Sequence, residues 1–148
     1  MNLVAPLFVP GDRPNRFHKA AASGSDMIII DLEDAVASNL KEAARRSTVE
    51  YLARGSPAMV RINSTGTGTF ANDLAALAQA KPSAVMVPKF EQGQAKLVHQ
   101  ALGDDLPIIA LVETASALRN LSGLLSDGNV VQAAVGTMDL APELWCTR

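Results

Sequence analysis

Short, β-leaning apolar runs recur along the chain, starting near Leu3 (LVAPLFV), Met27 (MIIID), Ala58 (AMVRI), Ala84 (AVMVP), Pro107 (PIIALV) and Val130 (VVQAAV). Between them lie Ala- and Leu-rich stretches with helical spacing: Lys41–Arg54, Phe70–Ala80, Gln94–Leu102 and Ser116–Leu125. Successive runs start about 25 residues apart, the length of a strand, a loop, a helix and a return. The runs are near-continuous rather than alternating, as strands buried on both faces are. The pattern predicts an α/β fold built on a parallel sheet.

Punctuation supports that reading. Asp12 is placed to cap a first helix whose first turn holds Pro14, and Ser23-Gly24-Ser25 to end it. Gly55-Ser56-Pro57 separates the second helix from the third strand, and Asp127-Gly128-Asn129 precedes the sixth. Six strands fit an open doubly wound sheet or about six units of a (βα)8 TIM-type barrel. Barrels typically run to ~250 residues, so the 148 here would make an incomplete one. The chain reads as a single domain over 1–148.

Composition removes several function classes. Thirteen Lys and Arg against fifteen Asp and Glu leave a net charge of −2, which argues against a nucleic acid or an anionic membrane as the main partner. The longest apolar runs fall far short of the ~20 residues of a spanning helix. Met1–Pro10 lacks a basic leader region and is broken by Pro6 and Pro10, so it does not read as a signal peptide. One cysteine, Cys146, excludes an internal disulfide and a Cys-based zinc site. The expectation is a cytoplasmic protein.

The polar residues gather where the apolar runs end. These are Asp31, Glu33 and Asp34 after the second run, Arg61 and Asn63 in the third, and Lys89 after the fourth. Glu113 and Asp139 follow the fifth and sixth. Parallel α/β proteins bind ligands at this edge because loops and helix N-termini converge there. Glu113 and Asp139 end adjacent runs, so neighbouring strands would set two carboxylates side by side. Such a pair suits a divalent cation with oxygen ligands, Mg²⁺ above all. The rival is a helix cap for Asp139 and a salt bridge for Glu113. Arg61 lies inside an apolar strand and needs an anionic partner. An internal acid such as Glu33 and a substrate carboxylate are equal candidates. Asp31, Glu33 and Asp34 crowd three carboxylates into four residues, a solvated cluster, a holder of metal-bound water or the seat of a general base. Arg13 and Arg16 sit in a first helical turn that disfavours cations, so they are either anion ligands or surface residues. Gly66-Thr67-Gly68 lacks the spacing of a phosphate loop. His18 and His99 are assigned no role.

Several motifs stand in a familiar order. They are Leu7-Phe8-Val9-Pro10-Gly11-Asp12-Arg13-Pro14, Ile30-Asp31-Leu32-Glu33-Asp34-Ala35-Val36 and Val60-Arg61-Ile62-Asn63. Val87-Pro88-Lys89, Leu111-Val112-Glu113-Thr114 and Gly136-Thr137-Met138-Asp139-Leu140 follow. From about residue 3 to 144 the chain resembles the citrate lyase beta-subunit branch of the HpcH/HpaI aldolase and citrate lyase superfamily. The resemblance implies a (βα)8 barrel acting on acyl-CoA thioesters with Mg²⁺. It makes Glu113 and Asp139 the metal ligands and Arg61 the substrate-binding arginine. Asp31, Glu33 and Asp34 become the acidic segment lining the metal's water shell, and Arg13 and Arg16 the basic turn associated with CoA.

The activity so implied is Mg²⁺-dependent lysis of citryl-CoA, or a similar 3-hydroxyacyl-CoA, to acetyl-CoA and an oxoacid. Glu113 would contact the oxoacid through the metal, Arg61 would stabilise developing enolate charge, and Asp31 or Glu33 would serve as base. The pattern departs from the family after Leu144, where two further strands are expected. A truncated, inactive remnant binding metal and oxoacid is therefore one alternative reading. A class II aldolase on free oxoacids is another. Homo-oligomerisation would cover open sheet edges, and acyl-carrier or other lyase-complex subunits are further partners that the resemblance suggests.

Overall fold

The computed structural model describes residues 4–145; Leu3, where the first apolar run starts, and Cys146 lie outside them. Six parallel strands run in chain order across one sheet: β1 (Leu7–Pro10), β2 (Ile28–Asp31), β3 (Met59–Arg61), β4 (Ala84–Val87), β5 (Ile108–Val112) and β6 (Val130–Val135). Sequential order without a reversal is barrel topology, not doubly wound topology. The sheet is not closed: β1 and β6 are its two edges. It is an open, six-stranded arc of a TIM-type barrel.

Among the described residues six α-helices lie between the strands, α1 (Phe17–Ala21), α2 (Lys41–Ala53), α3 (Gly68–Leu77), α4 (Gln94–Leu102), α5 (Ala115–Arg119) and α6 (Leu121–Leu125), and α7 (Thr137–Trp145) follows β6. They cover the convex face. There Ile28, Ile30, Val60, Val85, Val87, Ile108, Ala110 and Val112 pack against Phe17, Leu52, Leu74, Leu77, Val98 and Leu124 in the main core. The alternate strand residues Ile29, Met59, Ala84, Met86, Ile109 and Leu111 form a second, smaller cluster on the concave face. Both faces are apolar, which is why the strands read as continuous runs.

Local chemistry explains most boundaries. Gly103 ends α4 at φ 99°, a left-handed backbone that suits glycine. The start of α4 is capped from a distance, as Asp127 Oδ2 accepts the Gly93 N–H at 2.6 Å. Thr114 caps α5 through its own hydroxyl, which accepts the Ala117 N–H at 3.0 Å.

Three local expectations are corrected. Ser116–Leu125 is not one helix but two, broken at Asn120 (φ −102°, ψ 25°); Asn, Ser and Gly cluster there, and all are poor helix formers. Asp12 does not cap the first helix. Pro14–Arg16 forms a 3-10 turn preceded by Arg13, without a side-chain cap. In consequence Arg13 precedes that turn and Arg16 ends it, directly before α1, rather than occupying the first turn of an α-helix. Between β5 and β6 the register skips Val131, so Gln132 pairs with Ile109. This bulge resets the alternation and turns Ala134 onto the concave face.

Candidate functional site

The concave face changes character at the C-terminal edge. Its floor is apolar, and the next residues up on the same faces of β2, β3 and β5 are Asp31, Arg61 and Glu113. Asp31 and Arg61 are register partners on neighbouring strands. The guanidinium forks onto the carboxylate, with Nε donating to Oδ1 at 2.8 Å and Nη2 to Oδ2 at 2.6 Å. Asp31 also accepts the backbone N–H groups of Glu33 (2.8 Å) and Ala35 (3.0 Å). With four donors on two oxygens, Asp31 has little capacity left for a proton or a ligand. The Nη1 end of Arg61 lies 3.2 Å from Glu33 Oε2 and 3.8 Å from Asp34. The internal partner of Arg61 is therefore Asp31 first and Glu33 second. The Phe8 ring covers the guanidinium at 5.1 Å.

Glu33 is 8% exposed, and its Oε2 accepts no hydrogen bond despite the nearby guanidinium. Burial pushes its carboxyl up to about 7, Arg61 pulls against that shift, and Asp34, Glu113 and Asp31 add to it. Burial opposes the charge on Arg61, but the carboxylates of Asp31, Glu33 and Asp34 together outweigh it and hold the guanidinium above its ordinary range.

The acidic loop is held from behind by Asn63, already marked at the end of the third run, and by three residues that no motif singles out, Lys41, Arg45 and Asp73. Lys41 Nζ donates to the carbonyls of Leu32 (2.7 Å) and Glu33 (2.6 Å) and to Asn63 Oδ1 (2.7 Å). Asn63 donates in turn to Leu32 O and to Asp73, and Arg45 neutralises Asp73 at 3.1 Å. Asp73 is fully buried within α3. The one available signal was an acid on the apolar stripe of that helix.

Glu113, 7% exposed, follows β5. Its Oε2 accepts the Lys89 N–H at 2.9 Å, and burial raises its pKa. Gly136 lies against it: a Cβ there would stand 2.5 Å from Glu113 Cγ and 2.7 Å from Oε1. Asp139 falls in the first turn of α7, not at a cap, and pairs with Lys89 Nζ at 3.3 Å. Glu113, Asp139, Arg61 and Asp34 line one cleft of about 490 Å³, together with Phe8 and Met138. Glu33 does not line the cleft itself but contacts Arg61, which does. Among the described residues no three His, Cys, Asp or Glu side chains come together as a metal cluster. Two carboxylates are nonetheless the right donor set for Mg²⁺, which keeps several waters and takes one or two protein carboxylates. Glu113 and Asp139 fit that ion.

Arg13 and Arg16 do not join this cleft. Arg13 is exposed and stands 3.7 Å from Asp12. Arg16 lines a separate cleft of about 600 Å³ with Lys19, on the outer side of β1. Phe8 borders both clefts. His18 packs on Tyr51 and His99 on the Leu106 carbonyl, ordinary helix positions. Among the described residues no helix is long and apolar enough to cross a membrane.

Residues 5–148 match the HpcH/HpaI aldolase/citrate lyase family. A (3S)-malyl-CoA thioesterase of Cereibacter sphaeroides (strain KD131 / KCTC 12085) is 37% identical over 142 residues, 93% of this chain and 50% of its own. A citrate lyase subunit beta-like protein of Mycobacterium tuberculosis (strain CDC 1551 / Oshkosh) is 47% identical over 119 residues, 78% of this chain and 42% of its own. The protein CitE from Mycobacterium tuberculosis, crystallised with magnesium, acetoacetate and coenzyme A, superposes with a TM-score of 0.80 at 38% identity. That match covers 96% of this chain and 52% of CitE. The chain thus spans about half the length of these relatives. With the barrel topology and the strand-end motifs in register, it belongs to the HpcH/HpaI aldolase/citrate lyase family.

Proposed function

We propose that the cleft is the core of a Mg²⁺-dependent carbon–carbon lyase site that cleaves citryl-CoA, or a similar 3-hydroxyacyl-CoA, to acetyl-CoA and an oxoacid. The observation that carries the proposal is the meeting of Glu113, Asp139 and Arg61 at one cleft mouth. Glu113 and Asp139 would hold the ion, which supplies Lewis-acid polarisation of the oxoacid oxygens. The relative crystallised with magnesium, acetoacetate and coenzyme A supports this choice.

The chain's own groups divide the remaining work. Glu33, whose carboxyl titrates near neutrality and whose Oε2 lacks a hydrogen bond, takes the hydroxyl proton as the carbon–carbon bond breaks. Asp31 is saturated by four donors, so it positions Arg61 rather than accepting that proton. Arg61 presents its Nη1 edge to charge developing on the thioester enolate. Phe8 covers the other side of the guanidinium and keeps water from it. Arg16 and Lys19, across Phe8, offer cationic charge for the CoA phosphates, with Arg13 farther out.

The malyl-CoA thioesterase relatives favour a second reading, in which the same base activates water against the thioester. One experiment separates the two. Incubated with citryl-CoA or malyl-CoA and Mg²⁺, a lyase yields an acyl-CoA and an oxoacid, whereas a thioesterase releases free CoA thiol. Product analysis by mass spectrometry, with Glu113→Gln as control, tests both. Neither product from any 3-hydroxyacyl-CoA, with Mg²⁺ bound, would overturn the enzyme readings and leave a metal-binding remnant.

A further inference from the structure

Two non-glycine residues among the described ones have positive φ, and one of them, Lys89, stands at the cleft rim. Its φ of 47° is a left-handed backbone that a residue with a Cβ adopts only when its surroundings impose it. Two polar contacts are made from this residue. The Lys89 N–H donates to Glu113 Oε2 at 2.9 Å, while the ammonium of the same residue reaches Asp139 Oδ2 at 3.3 Å. One residue at the end of β4 thus holds the carboxylates that follow β5 and β6, one with its backbone and the other with its side chain.

We propose that Lys89 is a built-in counter-ion of the cation site. Its ammonium occupies Asp139 when no divalent ion is bound and must yield for one to bind, while its backbone N–H keeps Glu113 aimed throughout. The inference rests on the reading of Glu113 and Asp139 as cation ligands. The geometry gives the two contacts different characters. Glu113 is buried, and a hydrogen bond from a fixed backbone donor is rigid. The Lys89–Asp139 pair is half exposed on both sides (53% and 46%), so it is weak, salt-sensitive and easily exchanged. Such a device keeps Asp139 paired in the free chain and sets the affinity for the ion lower than the bare pair would have.

The test is equilibrium binding of Mn²⁺, a paramagnetic stand-in for Mg²⁺, followed by electron paramagnetic resonance on the whole chain. Lys89→Met removes the competing charge. Lys89→Gly removes it too, while accepting the left-handed backbone without strain and keeping the N–H on Glu113. Both are expected to bind Mn²⁺ about two- to fivefold more tightly, the range an exposed ion pair spans. Lys89→Arg keeps the charge and is expected to bind as the unaltered chain does. Unchanged or weaker binding in both the Met and Gly variants would overturn the proposal, provided that Glu113→Gln weakens binding. If Glu113→Gln leaves binding intact, or the unaltered chain binds no Mn²⁺, the cation-site reading fails and takes this inference with it.

Discussion

Asp31 and Arg61 face each other across the β2–β3 register, and the two hydrogen bonds between them, at 2.8 and 2.6 Å, are the anchor of the acidic end of the cleft. Pairing strands in parallel brings residues thirty positions apart to the same height. A carboxylate at the end of one strand therefore meets a guanidinium at the end of the next with no loop to place either. The fork takes the Nε–H and one Nη2–H, and the Nη1 edge faces Glu33 and Asp34.

That pair is buried, with side chains 1% and 13% exposed. Asp31→Ala leaves a desolvated guanidinium behind, and the expected loss of stability is about 3–5 kcal/mol. Adding Arg61→Met to the same chain should recover part of that loss, since removing both charges costs less than stranding one. Urea unfolding of the two single variants and the double variant measures the coupling. A double variant as unstable as the sum of the singles would show that the fork contributes nothing.

The strand ends were legible before the structure because the apolar runs are long enough to mark where each strand stops. The polar residue after each stop is then at the C-terminal edge of the sheet. Glu113 and Asp139 were found that way, and both line the cleft. What the sequence hid were long-range partners. Lys41 stands beside Glu42 at the start of α2 and reads as surface, and only the tertiary fold brings Leu32, Glu33 and Asn63 to it. Whether Asp31 or Glu33 would pair with Arg61 depended on strand register, which no local spacing encodes. The break at Asn120 was missed for another reason: Ala117, Leu121 and Leu124 keep helical spacing across the kink.

Lys41→Met deletes an ammonium that satisfies three acceptors at once. Hydrogen bonds to charged groups contribute about 1.5–3 kcal/mol each before the loop relaxes. Water will reach the partly exposed site, so the expected net loss is about 2–3 kcal/mol, within the range of a single such bond. Thermal and urea denaturation check the magnitude. Hydrogen exchange should show faster opening in residues 32–36, and protection unchanged from the original chain would refute the bracing role.

Gly136→Ala tests how tightly Glu113 is aimed. The new methyl group would overlap the glutamate side chain at 2.5–2.7 Å, so the carboxylate must turn away from its place beside the Lys89 N–H. Displacing the support of a metal ligand typically costs about 10–100-fold in affinity. The expected outcome is that Mn²⁺ binding weakens by that order while the fold survives. Affinity within twofold of the original chain would mean that Glu113 is not a ligand, or that it has room the structure does not show.

Glu33 gives stability a pH dependence opposite in sign to that of most carboxylates. Its carboxyl is pushed from an ordinary 4.5 up to about 7, mainly by burial. Between these values the folded chain still holds the proton that the unfolded chain has released. The unfolded state binds fewer protons there, so stability falls as pH rises. The contribution is fully present below about 4.5 and lost above about 7. Glu113, also raised by burial, acts in the same direction. Glu33→Gln cannot ionise, so its unfolding free energy, measured in urea at pH 5 and at pH 8, should fall less than that of the unaltered chain. On the proposed lyase reading with Glu33 as base, turnover should move the other way, rising through pH 7 as the base form of Glu33 appears. Equal pH slopes for the two chains would place the raised ionisation elsewhere and remove Glu33 as the base.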